Sequence, residues 1–358
     1  MPPPGAITAR GYPRKVGSLL DRLNATIPVL AAPMSGGPTT PAMVTAAKRA
    51  GSFGFLAAGY KSASTLASQI QEVRRSTDMF GVNLFASNPL PVDDDQYREY
   101  AAVVDRDGQR YGLDLRSSTP REDDDEWADK IDLLVRDPVP VVSFTFGVPE
   151  PAVIEKLRRA GSLLVQTVTS ASEAKIAVDA VVDVLAVQSH QAGGHSATFT
   201  PRSASPPIAL VDLVASVRLL ARLPIIAAGG LGDSASVKAV LAAGADAVMV
   251  GTHLLRAHES GASPTYKAAL AERKDVATAV TRAFSGRPAR GIRNAFIDRY
   301  EDMAPFGYPA IHYLTTPLRQ AAAAAGDADL INLWAGTGHA TVAEQPVADA
   351  LAGLAAGL

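Results

Sequence analysis

The chain has 358 residues, enough for two average domains or one large barrel with an insertion, and its 47% hydrophobic residues can fill a sizeable core. A formal net charge of -2 excludes the strong field that gathers nucleic acid or an anionic membrane surface. The absence of cysteine excludes disulfides, thiolate metal sites and a cysteine nucleophile. No uncharged apolar run reaches the roughly 18 residues that a membrane helix needs. We therefore expect a cytoplasmic protein that binds neither nucleic acid nor membranes.

Short apolar runs alternate along the chain with amphipathic helical segments. Eight runs predict strands, at residues 29–32, 53–57, 80–84, 141–146, 163–168, 184–188, 225–228 and 247–250. Strands that are apolar throughout belong to a parallel sheet that is covered on both faces. Eight such units in one chain predict an α/β fold of the (β/α)8 TIM-barrel type rather than an open sheet.

Two segments depart from this repeat. Residues 88–137 carry two acidic clusters and predict a solvated helical excursion, with helices at 97–104 and 127–135. After the eighth strand, residues 253–317 combine a helical pattern with prolines and aromatics, which predicts a smaller helical lobe inserted over the C-terminal mouth of the barrel. The predicted division is a barrel of residues 1–252 with 318–358 and a lobe of residues 253–317.

Three successive predicted strands end in small residues. A Gly-Gly-His sequence at 193–195 follows the sixth strand, a glycine pair at 229–230 follows the seventh, and Gly-Thr at 251–252 follows the eighth. Glycines let backbone amides approach a flat or phosphorylated ligand, and barrels bind phosphate after their seventh and eighth strands. A G-x-G-x-x-G sequence is absent here, so a mononucleotide-sized phosphate is favoured over a dinucleotide.

Other strand ends carry candidate ligand groups. Pro33 lacks an N–H and fixes φ, so the Met34 amide can point outward to a planar cofactor. Asn83 needs partners for its amide, which a ligand can supply. His195 can take a proton from an acidic carbon or donate one to an anion, whereas His190 is open to a capping or a functional role. Histidine spacing does not suit a metal, so no metal site is predicted.

A glycine-containing basic run covers residues 282–294. It is either a solvated loop or a segment in which Ser285 and an arginine face an anionic ligand. A wider basic field and aromatic stacking residues do not accompany it, which argues against nucleic acid.

These motifs together resemble the class I nitronate monooxygenases, formerly called 2-nitropropane dioxygenases. The resemblance covers nearly the whole chain and keeps the motifs in order. It rests on residues 32–37, 80–85, 142–147, 188–195, 227–230, 250–252, 285–291, 314–319 and 333–336. Because that family consists of FMN-dependent (β/α)8 barrels with a helical lobe, the resemblance implies the same fold and FMN as cofactor. It also implies oxidative denitrification of alkyl nitronates with O2, for which the family suggests propionate 3-nitronate.

The resemblance also implies roles for individual residues. His195 matches the catalytic histidine that can deprotonate a neutral nitroalkane, although a nitronate needs no base and would only be positioned or neutralised. The residues implied in FMN binding are Pro33, Met34 and Ser35 near the flavin N5, Asn83 and Gln188 at the pyrimidine edge, Gly193, Gly194, Gly229, Gly230, Gly251 and Thr252 at the phosphate, and Ser285 from the lobe. Those implied on the substrate side are Thr145, Tyr308, His312, Tyr313 and Thr316. Thr145 replaces a frequent histidine, and Thr316 lies where a lysine can occur, so an altered substrate range is expected.

Other functions remain open at this point. An FMN-dependent NAD(P)H:quinone reductase, or a related flavin oxidoreductase, shares the Gly-Gly-His layout. An IMP dehydrogenase needs a cysteine nucleophile, which this chain lacks. A barrel that binds flavin without turnover is a third possibility. The expected partners are a small nitronate or nitroalkane and O2, and a homodimer is compatible with the sequence.

Overall fold

The computed structural model describes residues 18–203 and 207–358. Eight parallel strands in it form a nearly closed barrel. They are β1 (Val29–Ala31), β2 (Phe55–Ala57), β3 (Gly81–Phe85), β4 (Val141–Thr145), β5 (Leu163–Val168), β6 (Val184–Gln188), β8 (Ile225–Ala228) and β9 (Ala247–Val250). Their order around the barrel is β1-β9-β8-β6-β5-β4-β3-β2, and a parallel bridge between Ala31 and Gly54 joins the two ends. The predicted TIM barrel is confirmed, with each predicted strand in place.

Helices follow the strands and cover the barrel. They are α1 (Leu19–Leu23), α2 (Pro41–Arg49), α3 (Ala63–Arg74), α4 (Asp94–Gly108), α5 (Trp127–Arg136), α6 (Pro151–Arg159), α7 (Ala171–Asp179), α8 (Leu210–Leu220), α9 (Ser234–Ala242), α10 (Pro264–Glu272), α11 (Ala295–Tyr300), α12 (Ala310–Ala324) and α13 (Val347–Leu354). Side-chain N-caps fix several starts, such as Thr40 before α2 and Ser62 before α3. Across the described residues, every helix is too short or too polar to cross a bilayer.

Strand residues alternate between the barrel interior and the helix layer. In β6, Val184 and Ala186 fill the interior, whereas Leu185 and Val187 pack beneath the helices. The same period of two directs the next inward residue, Gln188, into the barrel mouth. Strand register therefore decides which side chains reach the site.

The lobe after β9 contains more than helices. Strands β10 (Thr278–Thr281) and β11 (Ala289–Ile292) form an antiparallel hairpin, and β11 also pairs with the short β7 (Gly194–His195). The helical pattern did not predict this hairpin, because its sequence is rich in small residues and its pairing partner lies far away in the chain. Helix α12 continues across position 317, and the division into barrel and lobe at that point stays a prediction.

The acidic excursion after β3 belongs to the core of the lobe. Helices α4 and α5 include the predicted segments, but Tyr97 and Tyr100 of α4 are buried in one cluster with Phe284 and Phe296. The hydroxyl of Tyr100 donates to the Ala283 carbonyl at 2.6 Å. The interpretation as a solvated excursion is therefore wrong for this face of α4, because the acidic residues at the exposed start of the helix masked its apolar stripe.

Candidate active site

A cavity of about 650 Å³ lies between the C-terminal ends of the barrel strands and the lobe. This volume falls within the range of small-molecule sites. Most of the predicted site residues line it, namely Pro33, Met34, Ser35, Asn83, Thr145, Gln188, Gly193, Gly194, His195, Gly229, Gly230, Gly251, Thr252, His312, Tyr313 and Thr316. The strand ends thus bring together residues from the whole length of the chain, as expected for a barrel mouth.

The charged side chains in the wall of this cavity are of one sign only. Among the described residues that line it, Arg319 is the one cation, and aspartate, glutamate and lysine are missing. The remaining polar groups are hydroxyls, amides, imidazoles and backbone atoms. Such a wall favours an anionic ligand, because an anion meets one positive charge and no negative one.

His195 lies in an aromatic corner of the wall. Its ring centroid is 5.9 Å from Phe146, 5.6 Å from Tyr308 and 5.6 Å from Trp334. Burial lowers the pKa of His195 to about 3, and the positive charges of Arg287 and Arg319 act in the same direction. The imidazole is therefore neutral throughout the physiological pH range.

Ser285 fixes the tautomer of His195. The Nε2 atom of His195 lies 2.8 Å from the Ser285 hydroxyl, which also lies 3.2 Å from the Arg287 carbonyl. A hydroxyl has one hydrogen, and a carbonyl can only accept. Both contacts are hydrogen bonds only if Nε2–H donates to Ser285 and Ser285 donates to Arg287. This arrangement leaves Nδ1 of His195 as the unprotonated nitrogen.

Ser285 and Tyr308 lie behind the wall rather than on it. Ser285 is buried and contacts His195, and the contact of Ser285 with a cofactor stays a prediction. The hydroxyl of Tyr308 donates to that of Tyr60 at 3.0 Å. His190 is exposed and its Nδ1 lies 3.0 Å from the Ile208 carbonyl, outside the cavity lining.

Arg287 is a buried cation beside His195 that the sequence did not single out within the basic run. Its guanidinium is fully buried, donates to the Thr198 carbonyl at 2.6 Å and lies 4.0 Å from the Phe146 ring centre. Burial lowers its pKa to about 10, which leaves it charged at neutral pH. The nearby carboxylate of Glu173, which accepts from the Thr198 hydroxyl at 2.8 Å, acts in the opposite direction and raises the pKa of Arg287.

Helix α12 forms the lobe side of the cavity. His312, Thr316, Arg319 and Ala323 repeat at helical spacing and all line the cavity. The His312 ring stacks on Tyr60, with centroids 4.0 Å apart and planes 6° from parallel. The sequence analysis missed Tyr60 and Arg319. The i, i+4, i+7 spacing of His312, Thr316 and Arg319 is the signal that could have found Arg319.

Glycines bring three loops into contact at the side of the cavity opposite helix α12. A Cβ at Gly193 would lie 2.5 Å from the Gly336 nitrogen, and a Cβ at Gly229 would lie 2.6 Å from the Ser189 hydroxyl. At Gly194, which has φ of +78°, a Cβ would enter open space. Large side chains at these positions would separate the loops or fill the cavity, so the glycines keep a cradle open for a flat ligand.

Backbone donors near these loops suit a phosphate. Within the described parts of the chain, the amides of Gly230, Leu231 and Thr252 donate to no carbonyl of another element and to no side chain. At the start of α9, the Asp233 carboxylate caps the helix by accepting from the Ser236 amide at 2.8 Å, which places a negative charge at this helix end. The backbone N–H groups available to a phosphate therefore belong to the loops rather than to this helix end.

Three expected contacts with a cofactor are partly taken by the protein. The Met34 amide donates to the Thr39 hydroxyl at 2.8 Å, so the donor predicted for a cofactor already has a partner in the protein. The Asn83 amide donates to the Ser143 hydroxyl at 2.9 Å. Gln188 accepts from the Ala197 amide at 2.8 Å and donates to the His195 carbonyl, which holds the histidine loop. The Asn83 partner lies on another strand, whereas the partners of Met34 and Gln188 lie within ten residues of them, where the path of the loops decides the pairing.

The fold and the site define a TIM-barrel protein with a small-molecule cavity at the mouth, built from glycine loops, a neutral imidazole and a single arginine. The family model described as "Nitronate monooxygenase" matches residues 18–356. A probable nitronate monooxygenase of Staphylococcus saprophyticus is 36% identical and aligns over 88% of this chain and 89% of that protein. A second, from Bacillus subtilis, is 32% identical over 92% of this chain and 95% of that protein.

A solved structure is also similar to this one. The nitroalkane oxidase of Streptomyces ansochromogenes is 41% identical, with a TM-score of 0.87 over 94% of this chain and 96% of that chain. The chain belongs to the nitronate monooxygenase family, and it is an oxidoreductase of this flavin-dependent family. The resemblance read from the sequence is thereby confirmed, and the quinone reductase alternative is not favoured.

Proposed function

We propose that this protein is an FMN-dependent monooxygenase that oxidises alkyl nitronates with O2, with propionate 3-nitronate as the substrate suggested by the family. The acid-free cavity that contains Arg319 and the neutral His195 supports the proposal most strongly, because a nitronate is a small planar anion. Membership in the nitronate monooxygenase family supports the same reaction.

The residues present fit FMN. Unpaired amides of Gly230, Leu231 and Thr252 would hold its phosphate, and Gly193 and Gly194 keep the adjoining loop free of side chains that would fill this end of the cavity. When bound, FMN supplies the redox chemistry by which electrons leave the nitronate for O2. The protein supplies position, charge and exclusion of water through the lobe that covers the mouth.

His195 would contact the substrate as a neutral imidazole. Its low pKa makes it a weak general base, since efficient bases titrate near the working pH. We therefore propose that the wild-type protein uses preformed nitronates much better than neutral nitroalkanes, and that His195 matters most for the neutral substrates.

The test is the activity of His195→Ala on both substrate forms. We expect kcat/KM to fall about 100-fold for a neutral nitroalkane, which is the contribution of a general base, and less than about tenfold for the matching nitronate. Oxygen uptake measures both rates, and His258→Ala, which changes an exposed histidine, is the control. Equal losses on the two substrates would contradict the role of His195, and no uptake by the wild type with any nitronate would contradict the proposed function.

A further inference from the structure

We propose that Arg319 is the specificity-determining residue of this site, and that its guanidinium binds the oxygen atoms of the substrate anion beside a hydrogen-bond donor from His312. The inference rests on the proposed function, because it assigns the group that recognises the nitronate. It concerns the α12 wall of the cavity, on the lobe side, and is independent of the role of His195.

The guanidinium of Arg319 is held by neutral acceptors. Its Nη2 donates to the Thr316 hydroxyl at 2.6 Å and to the His312 carbonyl at 2.9 Å. Its Nε donates to the Thr315 hydroxyl at 3.1 Å, and its Nη1 donates to the Asn332 side-chain oxygen at 3.1 Å. Arginine has five N–H groups, and these bonds use four of them. One N–H on Nη1 is left to bind a ligand in the cavity that Arg319 lines.

The charge of Arg319 lacks a carboxylate partner among the described residues. The ion pairs of the described chain do not include it, and the cavity wall contains no acidic side chain. Burial lowers its pKa to about 10, so it is still a cation at neutral pH. Buried cations in proteins are normally paired, because transfer of an isolated charge out of water is costly. A bound anion would supply the missing partner.

His312 adds a second donor at the same place. Its Nδ1 lies 3.4 Å from the Arg319 Nη2 atom, so one of the two Nη2 N–H groups is shared between Nδ1 and an oxygen acceptor. Because arginine can only donate, Nδ1 carries no proton. The proton of the neutral ring then resides on Nε2. Stacking on Tyr60 fixes the ring plane, and burial together with the charge of Arg319 lowers the pKa of His312 well below its usual value. His312 thus stays neutral and keeps its Nε2–H available.

A phosphate group is served elsewhere in the cavity. The free amides of Gly230 and Thr252 belong to the barrel loops, whereas Arg319 and His312 belong to α12. The two donor sets therefore suit two different anionic groups: one on the cofactor and one on the substrate.

The test uses nitrate, a planar oxyanion that resembles the nitro end of a nitronate, and measures its binding to the purified holoenzyme by calorimetry. We expect the wild type to bind nitrate and Arg319→Gln to bind it at least about tenfold more weakly, because a charge-assisted hydrogen bond is lost. In activity assays the same variant should raise KM for the nitronate while KM for a neutral nitroalkane stays unchanged. Arg293→Gln, which removes an exposed arginine paired with Asp298, should leave both properties unchanged.

A second pair of variants keeps the test decisive if Arg319→Gln folds poorly. Arg319→Lys retains the charge without the planar fork, and we expect intermediate nitrate affinity. In the double variant Arg319→Gln with Thr316→Lys, an ammonium near the former Nη2 position should restore part of the binding, since Thr316 lies in direct contact with that atom. Folding of each variant is checked by circular dichroism.

The outcomes separate this inference from the proposed function. Undiminished nitrate affinity in Arg319→Gln, absence of nitrate binding in the wild type, or no recovery in the double variant would overturn the inference. If nitrate binding depends on Arg319 but the protein does not oxidise nitronates, the anion site is supported. Only the proposed function is contradicted in that case.

Discussion

At the scale of single residues, the site is organised by what surrounds His195. Phe146, Tyr308 and Trp334 remove water from the imidazole, and Arg287 and Arg319 add positive potential. Both effects penalise the imidazolium, so they act in the same direction on the pKa. The consequence is a histidine that accepts or donates hydrogen bonds without carrying charge.

The pH dependence of nitronate oxidation follows from this environment. The pKa of His195 is lowered from 6.5 to about 3. The imidazole is therefore neutral at every pH well above 3, and it becomes protonated only as the pH falls toward that value. We expect kcat/KM for a freshly prepared nitronate to show no acidic limb from His195 between about pH 5 and 8. Initial rates of oxygen uptake check this. A limb near 6.5 that disappears in His195→Ala would show that the imidazole titrates as in water.

Sequence reasoning located His195 because glycines at a strand end mark a position where a side chain and backbone amides face a ligand. Tyr60 and Arg287 could not be found in the same way. Their importance comes from stacking on His312 and Phe146, which are remote in sequence. Likewise, the contact of Ser285 with His195 depends on the segment before β11, which pairs with β7, and the sequence did not reveal this pairing.

At the scale of elements, the proposed phosphate side of the cavity depends on close contact between loops. The loop after β6 meets the segment around Gly336, where the Gly336 amide also donates to the Thr252 hydroxyl at 3.0 Å. A contact this close leaves no space for a Cβ on Gly193 or on Gly336. The glycine pattern in the sequence predicted the approach of these backbones to a ligand, but not their approach to the C-terminal segment.

Gly193→Ala tests this element. A Cβ at this position would lie 2.5 Å from the Gly336 nitrogen, so the two segments must separate and the phosphate donors shift. We expect FMN affinity to fall at least about tenfold, equivalent to roughly 1.4 kcal/mol, as measured by fluorescence titration of the apoprotein.

The matched control for this change is Gly353→Ala. A Cβ there meets nothing within 4 Å in helix α13, where alanine is favoured over glycine by about 1 kcal/mol. This variant should bind FMN normally and unfold at slightly higher denaturant concentration. Wild-type affinity in Gly193→Ala would show that loop contact does not set the phosphate site.

At the scale of the whole molecule, the barrel was predictable and the lobe only in outline. Each barrel strand is an apolar run whose residues are buried on both faces, which the sequence displays directly. The lobe instead combines α4 from one insertion with α10 to α12 from another, and its hairpin pairs with β7. These contacts join distant segments, so local patterns do not reveal them.

Net charge also says little about the site. The chain as a whole carries a formal charge of -2, yet the cavity wall in the described structure holds one arginine and no acid. The acidic residues lie instead outside this wall, as at the start of α4. The positive character of the cavity wall is therefore a property of the folded mouth, where the lobe meets the barrel.

In the proposed reaction, a flavin in this cavity takes electrons from a nitronate. The most direct test records the absorbance of the purified holoenzyme with O2 excluded, before and after addition of a nitronate and, separately, of NADH. We predict that the nitronate bleaches the flavin band rapidly, that NADH does so far more slowly, and that O2 restores the colour. A flavin that NADH bleaches and the nitronate does not, or a protein that cannot take up FMN, would contradict the account.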